Sequence, residues 1–285
     1  MIENLTVIGP GLIGGSLIRA LKENNGVKNV TACSRNMNNL DKALKLGVID
    51  TAIADTATAV READIVVIAT PVGAILEVFK TIKDQLKPQA VVTDVGSVKM
   101  SLIRELQAEY GDVPQFFVPA HPVAGTEKSG VEASFASLFA DRKVILTPTA
   151  NTDPDSLKRV RDMWEMTGAK VIEMDGEWHD IILSATSHLP HVLAYALVTQ
   201  LSSMQESEDI FTLAAGGFRD FSRIASSDAT MWRDICLSNT DKIREMLKSY
   251  QLQLAKMDKM LKEQDSEGLY KVFANAKKVR DAHFE

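Results

Sequence analysis

Leu5-Thr6-Val7-Ile8-Gly9-Pro10-Gly11-Leu12-Ile13-Gly14 is the stretch that decides how this chain folds. Four apolar or β-branched residues run into three glycines at the spacing GxGxxG. The next segment, Gly15-Ser16-Leu17-Ile18-Arg19-Ala20-Leu21, carries helical periodicity. Strand, tight turn and helix in that order form a dinucleotide-binding fingerprint. The first glycine permits the turn, the second lets backbone approach a pyrophosphate, and the third lets the helix lie close to the strand. A helix opening there offers unpaired N–H groups to phosphate. Gly9, Gly11, Leu12, Ile13 and Gly14 are therefore candidate cofactor-binding residues.

Working outward, residues 1–175 alternate short β-branched runs with amphipathic stretches, the pattern of a parallel sheet covered by helices. Strands are expected at Leu5–Ile8, Val30–Cys33, Ile65–Ala69, Ala90–Thr93, Gln115–Val118, Val144–Thr147 and Lys170–Glu173, with helices such as Gly14–Lys22 and Leu157–Thr167 between them. After Gly176 the strand signal stops and the remainder should be all-helical. In Thr240–Glu263, residues Ile243, Met246, Leu247, Tyr250, Leu254, Met257 and Leu261 form an apolar stripe that needs a partner, either its own domain or a second subunit. The expected architecture is a Rossmann-type α/β domain over 1–175 followed by an all-α domain over 176–285.

Composition narrows the function. The 285 residues are 45% hydrophobic and 25% charged, which excludes a disordered or fibrous chain. A net charge of −6 with both signs interspersed argues against a nucleic-acid surface. No run of about 18 consecutive apolar residues is seen, and the N-terminus lacks an export signal, so the expectation is a cytoplasmic protein with no membrane partner. Cys33 and Cys236 fit neither a disulfide framework nor a metal knuckle and read as reduced thiols, and no metal is expected.

The end of the second strand bears on the cofactor. An acidic residue there would hold the ribose 2′-hydroxyl and repel a 2′-phosphate. Here the chain reads Thr31-Ala32-Cys33-Ser34-Arg35-Asn36, with no carboxylate. Ser34 can hydrogen-bond a phosphate and Arg35 can pair with it or stack on adenine, which favours NADP over NAD. The plainer alternative makes Arg35 a surface charge and the cofactor either one. Thr70 and Pro71, just past the third expected strand, complete the candidate cofactor set.

Two further segments lie where strands end: Thr93-Asp94-Val95-Gly96-Ser97-Val98-Lys99 and Ala120-His121-Pro122-Val123-Ala124-Gly125-Thr126-Glu127. That edge of a doubly wound sheet is where ligands sit, so Ser97 and His121 can both face a nicotinamide. A histidine there can accept a proton as hydride leaves the same carbon. The helical half adds Ser184-Ala185-Thr186-Ser187-His188-Leu189-Pro190-His191, Gly216-Gly217-Phe218-Arg219-Asp220-Phe221-Ser222-Arg223 and Met231-Trp232-Arg233-Asp234.

Taken together, these ordered motifs resemble the prephenate and arogenate dehydrogenases of tyrosine biosynthesis, and the likeness spans nearly the whole chain. The resemblance implies that His121 is the catalytic base for the ring hydroxyl and that Ser97 orients it and the nicotinamide. It makes His188 and Arg223 a substrate-binding pair. It places Thr126, Glu127, Asp220 and Trp232 around the substrate, with the tryptophan arriving from a neighbouring subunit. It further implies a homodimer built on the helical half, and oxidative decarboxylation of a cyclohexadiene with hydride transfer to NAD(P) and no metal. Prephenate is the expected substrate, with arogenate or dual use as the alternative.

Simpler assignments stand beside these. His188 and His191, three residues apart, share a helix face and could be a metal pair, although His191 reads more simply as structural. Arg219 and Arg233 read as solvated charges or ion-pair partners, His179 and His283 as surface residues, and Trp164 and Trp178 as packing. Two rival classes remain: another two-domain NADP enzyme acting on a hydroxy acid or imine, and a non-enzymatic NADP-binding redox sensor. The former commonly places a catalytic Lys on the helical side, and the sensor has no use for the set His121, His188 and Arg223.

Overall fold

A computed structural model describes residues 1–284. Among the described residues nine strands occur, β1 (Ile2–Ile8), β2 (Val27–Cys33), β3 (Thr51–Ala52), β4 (Ile65–Ile68), β5 (Val91–Asp94), β6 (Phe117–Val118), β7 (Ala120–Pro122), β8 (Lys143–Leu146) and β9 (Lys170–Glu173). The helices among them are α1 (Leu12–Glu23), α2 (Met37–Lys45), α3 (Thr56–Ala59), α4 (Ile75–Ile82), α5 (Met100–Tyr110) and α6 (Pro154–Glu165). From Gly176 onward the chain is helical, as the sequence predicts: α7 (Gly176–Leu183), α8 (Leu189–Ser202), α9 (Ser207–Thr212), α10 (Gly216–Ser222), α11 (Ala229–Ser238), α12 (Thr240–Lys262) and α13 (Ser266–Phe284).

The first six strands form one parallel sheet in the order β3-β2-β1-β4-β5-β6. Strand order reverses between β1 and β4, so the loops leaving Ile8 and Ile68 diverge and open a crevice at that edge. Both sheet faces are buried. Ile65 and Val67 belong to one apolar core with Val7, Leu17 and Trp164, whereas Val66 and Ile68 join a second with Phe79, Phe117 and Trp232. The alternation follows from the two-residue period of a strand, and burial on both sides explains why these strands read as unbroken apolar runs.

The seven expected strands are found, but they do not share one sheet. Residues 120–122, read from sequence as loop, form β7, which pairs antiparallel with β8, while β8 pairs parallel with β9 in a separate three-stranded sheet. Pro119 has no N–H to continue the β6 ladder, so the chain leaves the first sheet there. The strand expected at Gln115–Val118 shortens to two residues because Phe117 N–H turns back to the Pro114 carbonyl at 2.8 Å.

Helix starts follow their capping residues. Asp153 accepts from Ser156 N–H ahead of α6, Asp175 from Glu177 and Trp178 N–H ahead of α7, and Asp228 from Met231 N–H ahead of α11. Each such cap contributes about 1 kcal/mol to its helix. Between α7 and α8 the rod continues as a π-helical segment, Ser184–His188, so Gly176–Ser202 is a single helix of 27 residues. With a mean hydropathy of 1.5 over its most apolar 18 residues, it is long and apolar enough to cross a membrane by length and composition, which corrects the expectation that no such stretch exists. Scattered serine, threonine and histidine residues conceal it from a search for uninterrupted apolar runs. Those same polar residues, His179, Asp180, Ser184 and His188, are buried inside the fold.

By packing, the chain divides into a unit of residues 1–240 and a second beginning at Asp241. The first extends well past 175 because Trp232 and Ile235 of α11 join the core that contains Phe79 and Phe117. The second unit consists of residues 241–262 of α12 and of α13. Along it Leu252, Leu254, Leu261, Tyr270 and Phe273 are exposed.

Candidate active site

The glycine loop is held across the crevice by Gly9 N–H to the Cys33 carbonyl and Ala69 N–H to the Ile8 carbonyl, both at 2.8 Å. Gly9 sits at φ +89°, and a Cβ there would meet the Ala69 oxygen at 2.8 Å. At Gly14 a Cβ would stand 2.9 Å from both the Gly9 oxygen and Val7 Cγ1. Those two glycines are therefore demanded by the protein itself. Gly11 differs, since a Cβ there would meet nothing within 4 Å. Its missing side chain leaves space for a ligand, and α1 starts at this point without a side-chain cap. Thr70 Oγ1, on the opposite wall, is buried with no hydrogen-bond partner among the described residues. An open loop, an uncapped helix N-terminus and an orphaned hydroxyl together fit a dinucleotide pyrophosphate.

Gly9, Gly11, Ser34, Arg35, Thr70 and Pro71 line one cleft of about 930 Å³. Leu12 and Ile13 instead turn onto the core behind the first turn of α1, and Gly14 is buried at the helix–strand contact. Cys33, also on the cleft wall, contacts Thr56 Oγ1 at 3.2 Å, and burial pushes its thiol pKa up. Ser34 Oγ accepts from Asn36 N–H at 3.2 Å, and the Asn36 side chain caps α2. Arg35 is exposed at the cleft.

Beyond β5 the chain is pinned by a fully buried ion pair. Lys99 Nζ bonds the Asp94 carboxylate and donates to the Ala120 carbonyl at 2.7 Å, while Asp94 accepts from Gly96 N–H at 2.7 Å and Ala120 N–H at 3.1 Å. This knot fixes the start of β7, and so the position of the next residue, His121. The His121 ring is buried, with Nδ1 2.8 Å from His179 Nε2; His179 Nδ1 is in turn 2.7 Å from Asp180 Oδ1. Burial pushes His121 well below the usual imidazole range, helped by the neighbouring His179, Lys99 and His188. The ring is therefore neutral at neutral pH and able to accept a proton.

His188 closes the π segment. Asn239 Nδ2 donates both to the Asp180 main-chain carbonyl at 3.0 Å and to His188 Nδ1 at 3.2 Å. Since Nδ1 accepts, the neutral ring carries its proton on Nε2, which is buried and without a partner among the described residues. Burial lowers the His188 pKa to about 4 despite the nearby Asp180 carboxylate, and the Ser97 main chain also favours its proton. An uncharged, buried N–H donor of this kind is suited to an oxygen, that of the Ser97 main chain or of a bound molecule. Arg223 and Glu127 form an ion pair at 3.0 Å on the exposed side, and Arg223 lies close enough to bear on the His191 pKa. Thr126 is exposed, its hydroxyl accepting from Lys128 N–H, and Asp220 is exposed on α10.

Several expectations change. The resemblance implied that Ser97 orients His121, but among the described residues the hydrogen-bond partner of the ring is His179. His179, read as a surface residue, is fully buried, and Trp178, read as packing, is 55% exposed. Trp232, implied to arrive from another subunit, is buried in its own chain. It stacks on His191 at 3.7 Å and meets His188 edge-on at 6.1 Å. His188 and His191 do not converge as a metal pair, because the first faces Asn239 while the second faces Trp232 and the Ser187 carbonyl. Arg233 pairs with Asp234, and Trp164 is buried packing as expected. Sequence reading missed His179, Asp180 and Asn239. The available signal was that 176, 179, 180, 183, 184 and 188 fall on one buried helical stripe, and four of those positions are polar.

A dinucleotide cradle, together with a buried neutral histidine and a buried N–H donor, defines an oxidoreductase that couples hydride transfer to a proton shift. Comparison with known proteins makes this specific. Family sequence models described as "Prephenate dehydrogenase, nucleotide-binding domain" and "Prephenate dehydrogenase, dimerization domain" match residues 17–173 and 175–275. The chain belongs to the prephenate dehydrogenase family. It is 36% identical to cyclohexadienyl dehydrogenase of Zymomonas mobilis, covering 98% of this chain and 96% of that one. It is 37% identical to prephenate dehydrogenase of Bacillus subtilis, over 99% of this chain and 76% of the relative. The crystal structure of Aquifex aeolicus prephenate dehydrogenase in complex with hydroxyphenyl propionate and NAD+ superposes with a TM-score of 0.92 at 36% identity, covering 99% and 98% of the two chains.

Proposed function

We propose that this protein converts prephenate to 4-hydroxyphenylpyruvate and carbon dioxide, passing hydride to NADP. The observation that carries the reading is His121, a buried neutral base on the strand that leaves the dinucleotide-binding sheet. In this reading His121 Nε2 accepts the hydrogen bond of the ring hydroxyl. It takes the proton as hydride leaves the same carbon for the bound nicotinamide, which supplies the acceptor. The ring carboxylate then departs as carbon dioxide, its bonding electrons enter the ring, and the proton returns to the phenolic oxygen. Aromatisation drives the carbon loss, so a positioned base is sufficient.

His188 Nε2–H and the planar Arg223 guanidinium hold substrate oxygens, with Thr126, Glu127, Asp220 and Trp232 around them and Ser97 beside the nicotinamide. Gly9, Gly11, Leu12, Ile13, Gly14, Thr70 and Pro71 form the pyrophosphate side, and Ser34 with Arg35 takes the 2′-phosphate. Replacing Arg35 by alanine should then raise the NADP Michaelis constant while leaving that for NAD unchanged. We keep 1–175 as the nucleotide domain and 176–285 as the substrate and dimerisation domain. The partly covered apolar rod Gly176–Ser202 supports a homodimer through that half, and the free thiols Cys33 and Cys236 suit a cytoplasmic setting.

The test is reduced-dinucleotide formation with prephenate, arogenate and a 2-hydroxy acid in parallel, using NADP and NAD. Turnover of prephenate is expected, and His121→Asn should lower kcat about 10²–10⁴-fold. Activity with the hydroxy acid alone, or with none of the three, overturns the reading.

A further inference from the structure

A line of buried polar groups continues from His121 through His179 to Asp180. Asp180 Oδ1 accepts from His179 Nδ1–H at 2.7 Å and from Lys99 N–H at 3.0 Å, while Oδ2 accepts from Met100 N–H at 2.9 Å. Lys99 and Met100 begin helix α5, so the carboxylate is anchored at a helix N-terminus by main-chain donors. His179 Nε2 faces His121 Nδ1 at 2.8 Å, and all three side chains are buried.

This chain of contacts permits one proton arrangement. Burial raises the Asp180 pKa, but the bonds from His179, Lys99 and Met100 outweigh it and hold the carboxyl below its ordinary range. An ionised carboxylate only accepts, so His179 carries its proton on Nδ1. Burial keeps His179 neutral even beside Asp180, so its Nε2 is bare and must accept. His121 therefore carries its proton on Nδ1, and its Nε2 lone pair is free.

The geometry points to His179 and Asp180 as positioning residues that fix this tautomer of His121 and share the charge His121 acquires during turnover. When His121 Nε2 takes a proton, its Nδ1–H bond can break as a His179 Nε2–H bond forms. The cation then rests on the ring that touches Asp180, and reversal returns the proton. The charged and titratable groups facing these rings are Lys99, Asp94 and His188, besides the three members themselves. Lys99 disfavours a cation on either ring and His188 disfavours one on His121, whereas Asp94 and Asp180 favour one on His179 alone. Moving the charge inward by one ring is thus downhill electrostatically. Serine-histidine-aspartate hydrolases use a carboxylate in the same way, to hold an imidazole in the required tautomer.

The inference rests on His121 being the base of the proposed reaction. Its test begins with the resting protein, where nitrogen-15 NMR of the five histidine rings reports which nitrogen bears hydrogen. The His121 signals are identified by their loss in His121→Asn. Hydrogen on Nδ1 and a bare Nε2 are expected, and the opposite tautomer overturns the assignment. His179→Gln then separates the two roles, because the amide oxygen can still accept from His121 Nδ1–H but cannot take up a proton. It should keep the tautomer and the prephenate Michaelis constant, lower kcat about 10–100-fold, and move the acid limb of kcat to lower pH. A His179→Gln enzyme with the original kcat and pH profile overturns the charge-sharing role. If instead His121→Asn stays active while the tautomer is as stated, the functional reading fails and the hydrogen-bond assignment stands.

Discussion

Lys99→Met offers the sharpest test of how the site is held. The lysine is fully buried, bonded to an equally buried Asp94, and its Nζ also serves the Ala120 carbonyl. Methionine fills most of the same volume, so the change removes charge and hydrogen bonds with little loss of packing. Asp94 would keep Gly96 and Ala120 N–H but lose its counter-charge. Breaking a buried pair from one side costs roughly 3–5 kcal/mol, because an uncompensated charge remains. For a chain of this size that corresponds to a fall in Tm of about 6–20 °C. Replacing both partners, as Asp94→Asn with Lys99→Met, removes the stranded charge and should recover about half or more of the loss. The assay is thermal unfolding of wild type, both single variants and the double variant at one protein concentration, which yields the coupling energy directly. A Lys99→Met protein within about 1 kcal/mol of wild type would falsify the claim that this pair anchors the start of β7.

Four further outcomes are expected. Gly14→Ala forces a methyl to within 2.9 Å of the Gly9 oxygen and Val7 Cγ1 and should cost about 1–3 kcal/mol in thermal stability. Gly11→Ala meets nothing, so it should stay within about 1 kcal/mol of wild type yet raise the dinucleotide Kd at least about tenfold; equal effects on both readouts would contradict the assignment. His188, with a folded pKa of about 4 against 6.5, leaves the unfolded chain binding the extra proton between those values. Stability should therefore fall as pH drops from 6.5 toward 4, by up to roughly 3 kcal/mol from this ring, and His188→Asn should flatten that slope in pH-dependent unfolding. Arg223→Ala, which removes a guanidinium that binds ground and transition states alike, should raise the prephenate Michaelis constant with kcat little changed; a collapse of kcat alone would assign it a different role.

Some of this was legible in the sequence because the information is local. Gly9, Gly11 and Gly14 state a turn, a ligand approach and a helix contact within six residues, and the buried strands announce themselves by composition. What escaped depends on distant partners. β7 exists because Pro119 diverts the chain toward β8, more than twenty residues later, and no periodicity in three residues reveals that. Trp178 and His179 exchanged their expected places because neighbours on a helix point about 100° apart. Which of them faces inward is set by where Asp175 starts the helix and by what α5 presents to it. Ser97, Thr126, Glu127 and Asp220 came from motif likeness, and the fold supplies each with surroundings that its spacing could not describe.

The π-helical segment at Ser184–His188 has a bearing on how that arrangement arose. His179 and His188 are nine positions apart, and at about 100° per residue a uniform α-helix would turn them to opposite sides. A wide turn absorbs one surplus residue, so the effective separation is eight and the angle between them shrinks to about 80°. Both imidazoles can then look toward one end of the sheet. Deleting a single residue from 185–187 would remove that surplus and restore regular winding at the same separation of eight, leaving His188 and the downstream rod facing as they do, whereas regular winding of the undeleted chain would rotate everything after it by about 100° and swing His188 away from the oxidation chemistry.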